Sequence, residues 1–356
     1  MKKILVVGLG SHFGGTEAAV EQIVQQVKDD FDFDFLTYEP LPEGHFDEFD
    51  NIILPSKRRN FFAYKRMLKN FFKERGSQYH SIWLNLNSLS NVDSLFLAKK
   101  YGISNRIIHA HNDRWLCPPV QKVLSEYHKR YSLGNATALW ACSSSAGKFF
   151  FGNRSFTIVP NLIDFDTKCF SLEKREKTRE KLDVEHSFII GTVGRCTSQK
   201  NQKFILKLLP DILKISPNAV YVIVGDGNQL SELKRMAHEL MIDSHVRFVG
   251  SQDDIQAYLS SFDVFVFPSI FEGLGISLLE AQVNGLPCVV SEQISDLAII
   301  SNSVAKVALN NKESWIESIC RNAKRSDVVL DSRARFFDSK LQKKKIEGFF
   351  KLGSDL

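Results

Sequence analysis

Short apolar runs alternate with longer amphipathic segments along this chain, and the whole pattern occurs twice. Runs at residues 4–7, 33–37, 52–54, 82–84, 106–109, 138–141 and 157–159 are separated mostly by helical segments. The alternation restarts with runs at 189–193, 221–224, 246–249, 264–267 and 288–290. Apolar strands joined by helical crossovers build parallel sheets covered on both faces. The expected class is therefore α/β with two doubly wound domains, and 356 residues suffice for two full cores. The boundary falls within 161–185. Val159-Pro160-Asn161 ends a strand, 171–183 is highly charged with one short helix, and Ile189-Ile190-Gly191-Thr192-Val193-Gly194 restarts a strand. The chain divides into 1–165, 166–330 and a tail at 331–356, whose segment 332–351 is expected to form a helix returning to the first domain.

Composition removes several function classes. Hydrophobic content of 44% and charged content of 24% are ordinary for a globular protein. No run of eighteen apolar residues is present, so no membrane-spanning helix is expected. Met1-Lys2-Lys3-Ile4-Leu5-Val6-Val7-Gly8 lacks a small-residue cleavage site and reads as a first buried strand rather than a leader. The six cysteines form no C-x-x-C pair, so zinc is not expected. They read as reduced packing residues of a cytosolic protein. A net charge of +5 is too mild to suggest nucleic acid.

The most informative motif is Phe267-Pro268-Ser269-Ile270-Phe271-Glu272-Gly273-Leu274-Gly275-Ile276-Ser277-Leu278-Leu279-Glu280-Ala281. It sets Glu272 before a helix and Glu280 two turns inside it, with the helix N-terminus between them as an anion site. Two carboxylates that read hydroxyls, flanking a phosphate cradle, suit a ligand built of sugar, diphosphate and ribose. Gly194-Arg195-Cys196-Thr197-Ser198-Gln199-Lys200-Asn201 follows the first strand of the second domain. Arg195 and Lys200 then lie at the sheet edge where open α/β folds bind ligands, and suit a diphosphate. Val224-Gly225-Asp226-Gly227-Asn228 reads as a strand-to-helix turn, as does Phe248-Val249-Gly250, where Val249 could offer a backbone amide to a base.

In the first domain, Gly8-Leu9-Gly10-Ser11-His12-Phe13-Gly14-Gly15-Thr16-Glu17 follows strand one. Its G-x-G-x-x-x-G spacing departs from the dinucleotide fingerprint, though Glu39 after strand two could hold a ribose. A tight strand-to-helix turn is the plainer reading. Ile108-His109-Ala110-His111-Asn112 ends a strand without a third metal ligand, and one histidine there fits a hydrogen-bond donor in a cleft. Residues 57–73 interleave cations with Phe61, Phe62, Leu68, Phe71 and Phe72. Phe61, Leu68 and Phe72 share one helix face, into which Lys65 projects. Such a segment is either an interfacial helix on anionic lipid or an ordinary core-facing helix with a basic outer face. Asp30-Phe31-Asp32-Phe33-Asp34-Phe35 has D-x-D spacing, but strict alternation reads as a strand with one buried face and no metal role.

Together, Gly14-Gly15-x-Glu17, His109–Asn112, Val159-Pro160-Asn161, Gly194-Arg195 with Lys200-Asn201, Val224-Gly225-Asp226-Gly227 and the Glu272/Glu280 motif resemble the family 4 retaining glycosyltransferases of the GT-B fold. The likeness runs to about residue 292, and in the N-terminal half the His109–Asn112 segment and the Cys142-Ser143 strand end are most similar to members that build capsule or exopolysaccharide. Cys196 departs from it, standing where a bulkier apolar residue is usual. The resemblance implies two Rossmann-like domains facing across a cleft, the first binding an acceptor and the second a nucleotide sugar. It implies Arg195 and Lys200 on the diphosphate, Glu272 on the sugar hydroxyls and Glu280 on the ribose. Amides of Gly275, Ile276 and Ser277 would join the phosphate site, and Gly14 and Gly15 would close against it. Val249 would meet the base, and His111 the reacting sugar, with His109 the weaker candidate. The catalytic set so implied is His111, Arg195, Lys200 and Glu272, with no metal, no cofactor and no dedicated base.

The expected activity moves a hexose or deoxyhexose from a nucleoside-diphosphate sugar, UDP foremost, to a lipid-linked glycan at the cytoplasmic membrane face. Membrane contact through 57–73 belongs to this reading. Its competitors are a nucleotide-sugar epimerase of the same fold and an oxidoreductase using NAD through Gly8, Gly10, Gly14 and Glu39. A non-catalytic partner subunit is disfavoured by the intact set of charges.

Overall fold

The computed structural model describes residues 1–352 apart from 114, 116, 117, 273, 322, 323, 326 and 327. Cys117 and Gly273 thus lie outside the described residues. The chain forms two compact units: Met1–Leu162 with the chain from Phe336 onward, and Ile163–Arg335.

The first unit holds β1 (Lys2–Val7), β2 (Phe31–Thr37), β3 (Asp50–Ile53), β4 (Ser81–Leu86), β5 (Asn105–Ala110), β6 (Ala138–Ala141) and β7 (Thr157–Ile158). They form one parallel sheet in the order β3-β2-β1-β4-β5-β6-β7. Its helices are α1 (Gly15–Val27), α2 (Phe61–Arg75), α3 (Asp93–Lys100), α4 (Pro119–Tyr131) and α5 (Ser144–Phe151). One sheet face packs Phe31, Phe33, Phe35, Trp83 and Trp140 against α1. The other packs Leu5, Leu84 and Ile108 against α2, α3 and α5.

Two sequence expectations change here. β2 is an interior strand, so its aspartate face is not uniformly wet: Asp34 is 1% exposed. Its charge is met by Lys3 Nζ at 2.9 Å and by the Tyr79 hydroxyl, which donates at 2.5 Å. The D-x-D spacing is thus a structural feature. In α2 the buried face is Tyr64, Leu68, Phe71 and Phe72, while Phe61 is 48% exposed. Asn60 caps the helix by accepting the Ala63 N–H, so Phe61 opens the first turn beyond the core. Lys65 turns to Asp93 at 3.0 Å, as Lys57 does, instead of entering the apolar face.

The second unit holds β8 (Phe188–Val193), β9 (Ala219–Val224), β10 (Val246–Gly250), β11 (Val264–Phe267), β12 (Cys288–Ser291) and β13 (Val304–Val307). They form a parallel sheet ordered β10-β9-β8-β11-β12-β13. β13 is a further edge strand not anticipated above; only Val307 of its four residues is buried, which hides it from a hydrophobic-run criterion. Around the sheet lie α6 (Phe165–Lys168), α7 (Leu172–Leu182), α8 (Gln202–Ile215), α9 (Leu230–Glu239), α10 (Ile255–Ser261), α11 (Ile276–Val283) and α12 (Lys312–Cys320). α7 has almost no apolar stripe and is tied down by charge. Its Arg175 and Arg179 each reach Asp263 at 2.6 Å, and Asp263 also accepts the Ile189 N–H at 2.7 Å. The last helix, α13 (Ser339–Leu352), packs on α1 and buries Ile346, Phe349 and Phe350 in the core of the first unit. No helix among the described residues is long and apolar enough to cross a membrane.

Candidate active site

In a doubly wound sheet, ligands bind beyond the carboxyl ends of the strands where the strand order reverses. In the second unit that point lies between β8 and β11. The two loops leaving these strands are the ones carrying Arg195, Lys200 and Glu272.

The β8 loop is laid on the β9 loop by backbone bonds. Gly194 N–H donates to the Val224 carbonyl at 2.9 Å and Cys196 N–H to that of Asp226 at 2.8 Å. Gly225 and Gly227 have φ of +136° and +157°, and a Cβ there would stand 2.2 Å from the Gly194 oxygen and 2.4 Å from the Cys196 oxygen. The Val224-Gly225-Asp226-Gly227 turn is therefore a bed for the neighbouring loop, and only glycine permits so close an approach. The β8 loop in turn grips the β11 loop. Ile270 N–H donates to the Gln199 carbonyl at 2.8 Å, and the side-chain amides of Gln199 and Asn201 donate to the Phe271 and Pro268 carbonyls at 3.0 and 3.1 Å.

This clamp brings Lys200 Nζ to 2.8 Å from Glu272 Oε1, with the two side chains 18% and 9% exposed. The ammonium also lies 4.7 Å from the centre of the Phe267 ring. A buried ion pair adds little net stability, because desolvation offsets the attraction. What it does here is hold a cation with spare donors at the sheet edge. Arg195, on the same loop, is exposed and has no ion-pair partner among the described residues.

Helix α11 starts at Ile276 because Gly275 adopts φ +72°, where a Cβ would also meet the Phe267 ring at 3.0 Å. Glu280 consequently sits a little over one turn inside the helix, not two. The N–H groups of Gly275, Ile276 and Ser277 have no partner among the described residues; Leu278 N–H is the first to bond back, to the Gly275 carbonyl at 2.9 Å. Glu280 Oε1 is 3.0 Å from Lys168 Nζ, a residue the sequence reading did not single out. Lys168 ends α6, and its carbonyl accepts the Asn284 amide at 2.8 Å. Its sequence context, a charged stretch between domains, carries no signal for this role. Val249 is passed over in the β9–β10 register, which jumps from Phe248 to Gly250; its carbonyl accepts the Gln252 amide at 2.7 Å.

The first unit carries Gly14, Gly15 and His111. Gly14 caps α1, and the Glu17 carboxylate accepts the Gly10 N–H at 3.1 Å. Glu39 accepts the Ser11 hydroxyl at 2.8 Å. Glu39, the acid that a dinucleotide loop would leave for a ribose, is thus engaged by the loop's Ser11, while Glu17 braces the loop through Gly10. His109 is a core residue: fully buried, 3.2 Å from the Val159 carbonyl and between Trp83 and Trp140. Burial pushes its pKa down to about 3. His111 lies 4.2 Å from His109, ring to ring, and burial followed by that neighbour holds it neutral too. Its Nε2 lies 2.9 Å from the Asn85 side-chain amide, and its Nδ1 is buried with no partner among the described residues. Among the described residues no cluster of three metal-ligating side chains occurs.

Residues 174–322 match the family model of the glycosyl transferases group 1. EpsF of Bacillus subtilis (strain 168), described as a glycosyltransferase, is 30% identical over 339 residues, covering 90% of this chain and 88% of that one. The UDP-Gal:alpha-D-GlcNAc-diphosphoundecaprenol alpha-1,3-galactosyltransferase of Escherichia coli is 29% identical over 54% of this chain and 50% of its own length. Among solved structures, Anabaena HepE in complex with UDP-glucose superposes with a TM-score of 0.73 at 19% identity, covering 98% of both chains. The chain belongs to the group 1 glycosyl transferases and has their GT-B fold of two doubly wound units.

Proposed function

We propose that the protein is a retaining transferase that moves a hexose or deoxyhexose from a nucleoside-diphosphate sugar to a lipid-linked glycan, in the building of a cell-surface polysaccharide. The observation that carries this reading is the convergence, at the switch point of the second sheet, of the Lys200–Glu272 pair with three amides at the start of α11 that have no partner among the described residues. Cleavage of the anomeric C–O bond leaves negative charge on the β-phosphate and positive charge on the sugar. Lys200, Arg195 and the amides of Gly275, Ile276 and Ser277 stabilise the phosphate as it leaves, which is the usual work of a preorganised site. Glu272 holds donor-sugar hydroxyls and Glu280 the ribose. The diphosphate competes with Glu272 for Lys200, freeing that carboxylate for the sugar. The leaving phosphate takes the acceptor's proton, so neither a protein base nor a metal is required. His111 approaches the donor sugar near its reacting carbon, and the loop at Gly14 and Gly15 serves the phosphates.

UDP is the expected carrier: the E. coli relative is named for UDP-Gal and a diphosphoundecaprenol acceptor, and HepE holds UDP-glucose. The place of action is then the cytoplasmic face of the cell membrane, with the basic helix α2 turned to lipid. The test is a thermal-shift panel with UDP, GDP, ADP, dTDP and NAD on the protein and on Glu280→Ala and Arg195→Ala. A ligand bound only by the folded state raises its midpoint. One nucleoside diphosphate should stabilise the parent and lose its effect in both variants. Stabilisation by NAD alone, unchanged in the variants, overturns the reading.

A further inference from the structure

One oxygen of Glu280 is already taken. Its Oε1 lies 3.0 Å from Lys168 Nζ, with the two side chains 14% and 20% exposed, and its Oε2 has no partner among the described residues. The pair joins two elements of the second unit. Lys168 ends α6, close to where that unit begins at Ile163, and Glu280 stands on α11 a little over one turn past its first amides.

The Lys168 side chain is not needed to hold α6 in place. The Lys168 carbonyl accepts the Asn284 side-chain amide at 2.8 Å. Asn284, at the end of α11, is itself fixed by Arg325, which donates to its backbone and side-chain oxygens at 2.7 and 2.8 Å. The Cys169 carbonyl accepts the Gln256 side-chain amide at 2.6 Å, and Ser171 N–H donates to Ser260 Oγ at 3.2 Å. The main chain on both sides of the Lys168 side chain is thus anchored on α10 and α11. A partly exposed ion pair between long side chains adds little stability beyond that. What the ammonium does is hold one oxygen of a flexible carboxylate and leave the other for a ligand.

The 2′ and 3′ hydroxyls of a ribose are two donors side by side, and an ionised carboxylate has acceptor sites on both oxygens. Hydrogen bonds to a charged acceptor are the stronger kind, and more of their energy appears as affinity when the acceptor is already in place. We propose that Lys168 is a positioning residue for the nucleoside end of the donor, anchoring Glu280 through Oε1 so that the carboxylate meets the ribose diol in a set orientation. The site then selects ribonucleotides over deoxyribonucleotides, and Lys168 sets how sharply. The inference rests on the donor-site reading above and adds to it a residue that acts through Glu280.

The experiment is calorimetric titration of the full chain with UDP and with its 2′,3′-dideoxy form. The ratio of the two affinities isolates the diol, because charge effects on the shared diphosphate cancel. The parent should prefer UDP by about tenfold or more. In Lys168→Met that preference should fall by about threefold or more, with the thermal midpoint within about 4 °C of the parent. Lys168→Arg, which keeps a cation for the carboxylate, should retain most of it. Glu280→Ala should abolish it, and adding Lys168→Met to Glu280→Ala should change it no further, as expected of two residues acting through one carboxylate. An unchanged preference in Lys168→Met, with the preference lost in Glu280→Ala, overturns the proposal and leaves the donor-site reading standing. A parent without preference, or a preference that survives Glu280→Ala, overturns the ribose assignment of Glu280 and this inference with it.

Discussion

Replacing Gly225 by alanine tests how the β9 loop supports the site. The new Cβ would lie 2.2 Å from the Gly194 carbonyl oxygen and 2.8 Å from its carbon. Reaching ordinary contact needs a retreat of about 1 Å by backbone that belongs to the Lys200 loop, an overpacking cost of about 1–3 kcal/mol. Residue 225 also has φ +136°, a region that costs a non-glycine residue about 1–3 kcal/mol. Together the change costs about 2–6 kcal/mol. Gly250→Ala is the control: it has φ +70° but nothing within 4 Å of the added carbon. It bears only the left-handed backbone cost of about 1–2 kcal/mol. For a unit of this size each kcal/mol moves the midpoint by about 2–4 °C. Scanning calorimetry should therefore show Gly225→Ala melting roughly 10 °C below the parent and Gly250→Ala roughly 4 °C below. The nucleotide-induced shift should be lost in the first and kept in the second, because only the first displaces the loop carrying Arg195 and Lys200. Equal midpoints and equal nucleotide responses would refute the argument that glycine is required by loop-on-loop packing.

Three further outcomes follow from the same geometry. Lys200→Met should lower kcat/KM for sugar transfer by about 100-fold or more and also lower the midpoint, since Glu272 is left buried without its cation; adding Glu272→Gln should restore the midpoint but not the activity. The His109 ring, with a folded pKa of about 3, is neutral in both states above the unfolded value of about 6.5. Below that pH only the unfolded chain takes the proton, so stability falls by about 1.4 kcal/mol per pH unit on acidification; His109→Gln should flatten the midpoint-against-pH curve below about pH 6.5, and an unchanged curve contradicts the burial argument. Burial raises the thiol pKa of Cys142 to about 12 and, with Asp226 adding to it, that of Cys196 to about 11, whereas Cys169 is exposed; iodoacetamide should label Cys169 in the native protein well before Cys142 or Cys196, and equal rates would count against the buried assignment.

The layout of both sheets was legible because parallel strands buried on two faces leave continuous apolar runs such as Ile189–Val193. β13 escaped because an edge strand with Lys306 in its middle buries little. The sequence placed Arg195, Lys200 and Glu272 on loops at the right sheet edge, because strand ends mark that edge without any tertiary information. It did not show that Lys200 and Glu272 pair, or that Gln199 and Asn201 tie their loops together, since these contacts join residues about 70 positions apart. Lys168 was invisible for the same reason, 112 positions from Glu280. Asp34 and Phe61 were misassigned by local pattern alone: strand order decided the burial of one, and the Asn60 cap decided the exposure of the other.

The central claim is that a nucleoside diphosphate is held on the second unit by the β8 loop and the first turn of α11. Amide hydrogen exchange with and without the stabilising nucleotide tests it most directly. The account predicts slowed exchange at 194–200 and at Gly275, Ile276 and Ser277, lost in Arg195→Ala. Protection confined to 8–15, with the α11 amides exchanging unchanged, would contradict it.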